Sequence, residues 1–289
     1  MQVSAQSSSV IYAEAILTNH DLLPGEQAAL EIQIFGIRPD RRPIMPDIPG
    51  VAINFSGTST HIDSQRQLGY AFSYRVTPVQ SGNFTLPSIE VSTSKGTLTT
   101  EPVNFTVHSK DKLTSFPTGV NEQNIKAAWF TPKTSLYQNE QTQVFLKLYI
   151  PRNVRITSWG FPEATKTNCL AWRFSPPADH SQSVVQLENV THNVVTYSTT
   201  LSGINPGKAT LGPAELNLYQ RVRVRDTRRG YRSRDVPISL KLPAVNFNIK
   251  ALPSGAPANF NGAVGSFDID ARCQNPPFHM LNQPKSFYA

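Results

Sequence analysis

The 289-residue sequence has few charged side chains, only two cysteines and no long apolar run. Charged residues make up 16% of the chain, against about 25% in an average globular protein. Because no run of 18 apolar residues occurs, we expect no membrane-spanning helix within this chain. The cysteines, Cys169 and Cys273, do not settle the redox compartment. We expect Cys169 to be free and buried, since an isolated cysteine behaves as a small apolar residue.

From the first residues of the sequence we expect no signal peptide within this chain. Its first residues, MQVSAQSSSV, lack both the basic and the apolar segment of a secretory signal peptide. A polar start directly before a strand is typical of a mature protein end to which a methionine has been added. We therefore expect that a secretory origin is hidden in this sequence.

Catalytic and metal-binding motifs are missing as well. The six histidines show none of the spacings of a zinc site. The run Asp179-His180-Ser181 contains the residue types of a catalytic triad, but neighbours on an extended chain point to different faces and cannot relay a proton. No EF-hand, glycine-rich phosphate loop or nucleophile elbow occurs. We predict that the protein is not an enzyme and uses no cofactor and no metal.

Long helical patterns are absent, because 23 prolines interrupt the chain at short intervals. Short alternating segments take their place. After the turn at Pro24-Gly25, for example, Ala28, Leu30, Ile32 and Ile34 fall on one face of a strand. About seven short strands per ~100 residues, separated by turn signals, is the pattern of an immunoglobulin-like sandwich. The predicted fold class is all-β, with tandem immunoglobulin-like β-sandwich domains.

Three passages occur twice, in the same order. They are LPGEQAALEIQI (23–34) with YQNEQTQVFLKLY (137–149), TPVQSGNFTLPSIEV (77–91) with SGINPGKATLGPAELNL (202–218), and VNFTV (103–107) with VNFNI (245–249). Ordered self-similarity of this kind marks a repeated structural unit. We therefore predict two copies of one domain, the second with longer loops.

The repeat sets the predicted domain boundaries. Residues 1–109 form the first sandwich and residues 125–252 form the second. The stretch 110–124 is polar and poor in strand residues, so it is predicted to be a linker. Residues 253–289 are predicted to be a linker and the incomplete start of a third domain, because a fragment this short cannot bury a core of its own.

Four passages resemble the BatD (Bacteroides aerotolerance, or oxygen tolerance) family. LPGE (23–26), TPxxSGxFTLPSIxV (77–91) and TLTTEPVNFTV (97–107) are similar to that family's first domain. LPxGxPxNFxGAVGxF (252–267), the sharpest of the four, is similar to the junction before its third domain. The resemblance covers roughly residues 1–270. The tail RCQNPPFHMLNQPKSFYA (272–289) departs from the family's strand pattern, so we expect a truncated or altered third domain.

The resemblance implies a function as well as a fold. It implies a secreted protein that is tethered to the membrane, with a signal peptide before the sandwiches and transmembrane helices after them. It also implies a scaffold of the periplasm or cell envelope that contacts von Willebrand A-domain membrane proteins and works with a MoxR-type ATPase in stress tolerance. Any adhesive metal site of such a system is expected in the A-domain partners.

The boldest local feature is an arginine-rich run, residues 219–235. Its seven arginines, offset by Asp226 and Asp235, leave +5 of the chain's net charge of +7. Arg221, Arg223 and Arg225 alternate with valines, so a strand would turn these arginines to one face. The candidate partner-binding residues are Arg221, Arg223, Arg225, Arg228, Arg229, Arg232 and Arg234.

Two interpretations of this run remain open. Guanidinium groups form bidentate hydrogen bonds with carboxylates and phosphates, so the run is suited to binding an acidic protein, a lipid headgroup or a polyanionic glycan. A solvated basic hairpin that guards an edge strand against aggregation is the interpretation that we favour. Tyr219 and Tyr231 could stack on bases, but no RNA-binding or OB-type pattern accompanies them, so we predict no nucleic-acid partner.

Two further features have a functional and a structural interpretation. The basic loop from Arg38 to Pro43 lies where sandwich loops commonly bind partners, although we favour a solvated crossover. Trp159 and Trp172 could stack on sugars, which would make the protein a cell-surface glycan-binding or adhesive module. We favour buried core aromatics for both, because cores between sheets depend on large rings.

Overall fold

The computed structural model describes residues 11–62, 68–119, 123–177, 183–226 and 230–255, and the single residues 260, 262, 264 and 265. Within these residues the chain is built of β-strands and one short 3-10 helix at Lys110–Lys112. The all-β prediction is therefore confirmed. None of the described segments forms a helix that is long and apolar enough to cross a membrane.

The strands of the first unit form two stacked sheets and a hairpin. One sheet has the order β1-β3-β5-β4, the other has the order β2-β9-β6, and β7 pairs with β8. The described strands are β1 (Tyr12–Leu17), β2 (Asp21–Leu22), β3 (Ala28–Phe35), β4 (Val51–Ile62), β5 (Leu68–Pro78), β6 (Gly82–Leu86), β7 (Glu90–Thr93), β8 (Gly96–Thr99) and β9 (Val103–Val107).

The second unit repeats this plan with longer strands. One sheet has the order β10-β11-β13-β18-β16, with β17 also paired to β18. The other has the order β12-β21-β19-β14, with β15 and β20 also paired to β19. Its described strands are β10 (Thr114–Pro117), β11 (Asn124–Phe130), β12 (Ser135–Tyr137), β13 (Gln141–Pro151), β14 (Arg155–Trp159), β15 (Glu163–Thr167), β16 (Cys169–Ala171), β17 (Val184–Leu187), β18 (Val190–Gly203), β19 (Gly207–Asp226), β20 (Gly230–Leu242) and β21 (Val245–Lys250).

Each unit has its own apolar core between its two sheets. In β3, Leu30, Ile32 and Ile34 are fully buried, while the residues between them are partly exposed. This alternation follows from the two-residue period of a strand, which turns every second side chain toward the facing sheet. In the second unit, β13 and β19 supply the corresponding residues, among them Leu146 and Leu216. The tandem immunoglobulin-like sandwich prediction is confirmed.

The repeated passages occupy equivalent places in the two units. Gly82 pairs with Val107 in the first unit, and Gly207 pairs with Ile249 at the same register in the second. The threonine of each copy also donates a hydrogen bond to an asparagine at the equivalent position of the neighbouring strand. These two bonds are Thr85 Oγ1 to Asn104 Oδ1 at 2.7 Å and Thr210 Oγ1 to Asn246 Oδ1 at 3.2 Å. The sequence repeat is thus a repeat of pairing register.

The glutamate of the earliest repeated passage closes the same turn in both units. Glu26 accepts the backbone N–H of Leu23 at 3.0 Å, and Glu140 accepts that of Tyr137 at 2.8 Å. In each turn the residue before the glutamate has a positive φ, 83° at Gly25 and 66° at Asn139. Glycine and asparagine tolerate this left-handed conformation better than other residues. The local sequence therefore specifies both turns.

The second carboxylate oxygen has a different partner in each turn. Glu140 receives Lys133 of its own unit at 2.7 Å, and Lys133 is largely exposed. Glu26 instead receives Lys147 of the second unit at 2.9 Å, and both side chains are buried. Lys147 also donates to the backbone oxygen of Asp21, and its Nζ lies 5.2 Å from the centre of the Phe130 ring. One copy of the turn thus anchors the two units to each other.

Other contacts surround this buried ion pair. Tyr149 donates its hydroxyl to Glu26 at 3.3 Å, and burial together with the Glu26 carboxylate raises the pKa of the Tyr149 phenol. Leu23 of the first unit packs with Phe130 and other apolar side chains of the second. The backbone N–H of Gln27 donates to Val184 at 3.0 Å. The contact between the two units is therefore an apolar cluster that surrounds the Glu26–Lys147 ion pair.

The predicted linker differs from the observed chain. In the described part of 110–124, a 3-10 helix is followed by β10, which pairs with β11 in the sheet of the second unit. Because β10 lies at the edge of the sheet and exposes half of its side chains, its sequence is polar and was predicted to be a linker. The predicted unit bounds, 1–109 and 125–252, stay predictions, and most of 253–289 lies outside the described residues.

Replacing Lys147 by methionine tests the anchor. The variant keeps the apolar stem but leaves the Glu26 carboxylate buried without its cation, so we expect a loss of about 3–5 kcal/mol in the free energy of unfolding. Lys133→Met removes the equivalent cation from the Glu140 pair, whose lysine is largely exposed to solvent, and should cost no more than about 1 kcal/mol. Guanidinium chloride denaturation measures both values. Equal losses in the two variants would contradict the proposed anchor.

Candidate interaction surfaces

The strands β19 and β20 form a two-stranded ribbon that extends beyond the core. They pair from Ala214 opposite Leu242 as far as Asp226 opposite Gly230. In the half of this strand pair that belongs to the core, Leu216, Leu218 and Leu240 are fully buried. Beyond Gln220 most of the described side chains are exposed. We call residues 221–226 and 230–235 the arginine ribbon.

One face of the arginine ribbon carries Arg221, Arg223 and Arg225, opposite Asp235, Ser233 and Tyr231. Arg221 binds both carboxylate oxygens of Asp235, with Nε at 2.8 Å from one and a terminal nitrogen at 2.9 Å from the other. This hydrogen bonding raises the pKa of Arg221 and lowers the pKa of Asp235, so the pair is ionised at neutral pH. The guanidinium of Arg223 lies 4.6 Å from the centre of the Tyr231 ring.

The opposite face of the ribbon is also basic. Val222 pairs with Arg234 and Val224 pairs with Arg232, so these four side chains share the face that continues from the core. Val224 is 39% exposed, because no second sheet covers it there. Among the seven predicted site residues, three lie on one face and two on the other. Arg228 and Arg229 lie outside the described residues.

Arg155 of β14 adds a further cation at the base of the ribbon. It pairs with Arg221 across the strands, and its charge contributes to the lowered pKa of Asp235. Guanidinium groups form strong, forked hydrogen bonds with carboxylates and phosphates. A narrow strand pair with arginines on both faces can therefore insert between anionic groups or lie along an acidic surface.

The basic loop of the first unit is held in place by its own contacts. The Arg42 guanidinium lies 4.6 Å from the centre of the Phe55 ring, and Tyr74 donates its hydroxyl to the backbone oxygen of Pro43 at 3.0 Å. Burial raises the pKa of Tyr74. Arg38 and Arg41 stay exposed beside a shallow depression. All three arginines are exposed, and Arg42 differs in that its guanidinium also contacts an aromatic ring.

The two tryptophans have different environments, and the interpretation of both as core aromatics is wrong for Trp172. Trp159 packs partly against the core of the second unit. Trp172 is 70% exposed. It follows β16, where Cys169 is buried and Leu170 is exposed, so the two-residue period carries Trp172 outward.

Trp172 lies beside a groove of 810 Å³ in the second unit. Phe161 and Arg173 also border this groove, and the Arg173 guanidinium lies 4.7 Å from the centre of the Phe161 ring. Sequence reasoning missed both residues. Phe161 follows Gly160 in a loop with no periodic pattern, and the alternation from Cys169 to Trp172 was the one available signal that Trp172 points outward.

The remaining sequence candidates give no catalytic arrangement among the described residues. Cys169 is a free, buried thiol, as expected, and burial raises the pKa of its thiol. Cys273 and the run Asp179-His180-Ser181 lie outside the described residues. In the described ranges, no three or more His, Cys, Asp and Glu side chains are grouped so that they could hold a metal ion.

Two sandwiches with matched strand order define this chain as a tandem immunoglobulin-like protein. The family model described as "BatD DUF11 like domain" matches residues 16–107, which span most of the first unit. This match confirms the resemblance to the BatD family that the sequence motifs indicated. A comparison with curated proteins gave no match.

Several solved structures match this chain at low similarity. FdeC, described as a broadly conserved Escherichia coli adhesin, is 10% identical over 84% of this chain and 98% of its own, with a TM-score of 0.23. The D0-D1 domain of intimin is 13% identical over 83% and 100%, with a TM-score of 0.19. The C-terminal domain of the Streptococcus agalactiae AgI/II polypeptide BspA is 6% identical over 80% and 100%, with a TM-score of 0.22.

The charge balance of the ribbon gives a direct test. Asp235→Asn frees Arg221 and removes a carboxylate near Arg155, so the variant should elute from a heparin column at higher salt. The slope of log affinity against log salt should steepen by about one. Glu215→Gln is the matched control, because it changes the net charge equally in β19 outside the ribbon. Identical elution of the two variants would show that the ribbon is not the anion-binding surface.

Proposed function

We propose that this chain is a non-enzymatic interaction protein of the cell envelope, part of an aerotolerance system of the Bat type. The match of residues 16–107 to the BatD domain supports the system. The arginine ribbon is the observation that carries the binding role. It extends from the second unit, and its equivalent in the first unit is absent from the described residues, since β6 ends at Leu86 whereas β19 continues to Asp226.

The ribbon is best suited to an acidic protein surface. Its exposed guanidiniums can pair with carboxylates, and its partly exposed Val222 and Val224 offer apolar area between them. Interfaces of proteins are enriched in arginine and aromatic side chains, and Arg223 with Tyr231 supplies both. The partners proposed from the family are von Willebrand A-domain membrane proteins, acting with a MoxR-type ATPase. The proposed location is the periplasmic side of the envelope.

A second candidate function is favoured by one specific observation. Trp172 is largely exposed and lines a groove that Phe161 also borders, which is the kind of surface on which a sugar ring stacks. A cell-surface glycan-binding or adhesive role therefore competes with the scaffold role. The two roles use different surfaces of the second unit, so each can be tested without disturbing the other.

Charge reversal in the ribbon tests the scaffold role. Arg223→Glu together with Arg225→Glu changes one exposed face and leaves the Arg221–Asp235 pair intact. Affinity capture from envelope extracts of the source cells should recover A-domain proteins with the unmodified chain. We expect the double variant to recover at least tenfold less A-domain protein. Both substitutions replace an attraction to the acidic partner surface by a repulsion.

Arg38→Glu with Arg41→Glu is the matched control, since it makes the same charge change on the basic loop of the first unit. Capture should survive in this control. Recovery of neither an A-domain protein nor the ATPase by the unmodified chain would overturn the scaffold role. Unchanged capture by the ribbon variant would leave the ribbon as a solvated hairpin that protects the sheet edge.

A further inference from the structure

We propose that the groove beside Trp172 binds a neutral oligosaccharide. The inference rests on the second candidate function, glycan binding, and assigns its site and its ligand class. It does not involve the arginine ribbon. The groove runs between β15 and residues 172–174, and its volume of 810 Å³ falls within the range of about 300–1,000 Å³ that is typical of ligand sites.

The aromatic side chains of the groove stand on fixed backbone. The N–H of Trp172 donates to the oxygen of Thr200 at 3.1 Å, and the oxygen of Trp172 accepts Thr199 Oγ1 at 2.8 Å. Its indole nevertheless remains exposed. Because the backbone is anchored on both sides, only the two side-chain torsions of Trp172 lose freedom when a ligand stacks on the indole.

Phe161 is positioned in a comparable way. The neighbouring Gly160 donates its N–H to Asn217 at 3.0 Å and accepts the Tyr197 hydroxyl at 3.0 Å. A Cβ at position 160 would collide with the Asn217 backbone oxygen, so this close approach requires glycine. The groove therefore offers two aromatic rings on a prearranged frame.

Acidic and basic side chains both line the groove. Glu163 pairs with Glu215, and Glu215 pairs in turn with Lys241, so the three lie in one row across β15, β19 and β20. Lys166 reaches from β15 to the backbone oxygen of Ala171 at 2.6 Å. Arg173 completes the lining from the side of Trp172. The lining thus contains both cationic donors and carboxylate acceptors.

This lining discriminates between classes of ligand. A carboxylate or phosphate ligand would meet the glutamates, and an amine would meet the lysines and Arg173. Hydroxyl groups both donate and accept, so a polyol can satisfy both kinds of side chain at once. A pyranose also has an apolar C–H face that can lie on an indole, whose amphipathic ring suits a partly wet contact. A neutral sugar chain fits both the rings and the mixed polar lining.

Indole NMR signals of the full chain report directly on this site. The sequence has three tryptophans, and Trp172→Phe identifies the signal of Trp172. Trp129 lies behind the groove, since its ring is 5.9 Å from that of the lining residue Phe174, so its signal should shift less than that of Trp172. The probes are maltotriose, cellotriose and triacetylchitotriose, with trigalacturonate and decaproline as anionic and peptide comparisons.

We expect at least one neutral trisaccharide to shift the Trp172 signal in a saturable manner, and by more than it shifts the Trp129 signal. By isothermal titration, Trp172→Ala and Glu163→Gln should each bind that probe at least tenfold more weakly. Leu170→Ala should bind it within about twofold of the parent chain, because Leu170 is a similarly exposed neighbour that does not line the groove.

Three results would overturn the inference. They are no Trp172 shift with any neutral trisaccharide, unaltered affinity in Trp172→Ala, and tighter binding of trigalacturonate or decaproline than of every neutral probe. The double variant Arg223→Glu, Arg225→Glu should bind the sugar normally. Failure of partner capture and failure of sugar binding are therefore separable outcomes.

Discussion

The buried ion pair between Glu26 and Lys147 is the constraint on which the arrangement of the two sandwiches depends. Charges are costly to bury, and a lysine–carboxylate pair offsets this cost only with good geometry and further hydrogen bonds. Here Leu23, Asp21 and Tyr149 supply those bonds. Because a buried pair has few acceptable alternatives once formed, it specifies how the first sandwich meets the second more sharply than apolar packing alone would.

Much of the fold follows from short-range sequence patterns. The alternation in β3 and the turns at Gly25 and Asn139 are local, so they could be predicted. The partner of Glu26 could not, because Lys147 lies 121 residues away and the equivalent Glu140 takes a lysine of its own unit. Identical local motifs therefore gave no indication that one of them joins two units.

The candidate sites were predicted to a similar extent. Alternation placed Arg221, Arg223 and Arg225 on one face, as the structure has them, but the register with β20 was needed to place Arg232 and Arg234 on the other. Trp172 was misjudged because ring size was weighed above strand period. Phe161 acquires its position through Gly160 and Asn217, and contacts of that kind leave no trace in a single sequence.

The position of Glu26 also bears on what counts as an autonomous part of this chain. The family match ends at residue 107, one residue before His108, whose ring nitrogen bonds Asp21 at 2.7 Å. A fragment cut there would expose Asp21, Glu26 and Leu23, all of which are buried in the intact protein. The end of the family match therefore falls at a surface that the second sandwich covers in the intact protein, and we expect the fragment 16–107 to be less stable alone than within the chain.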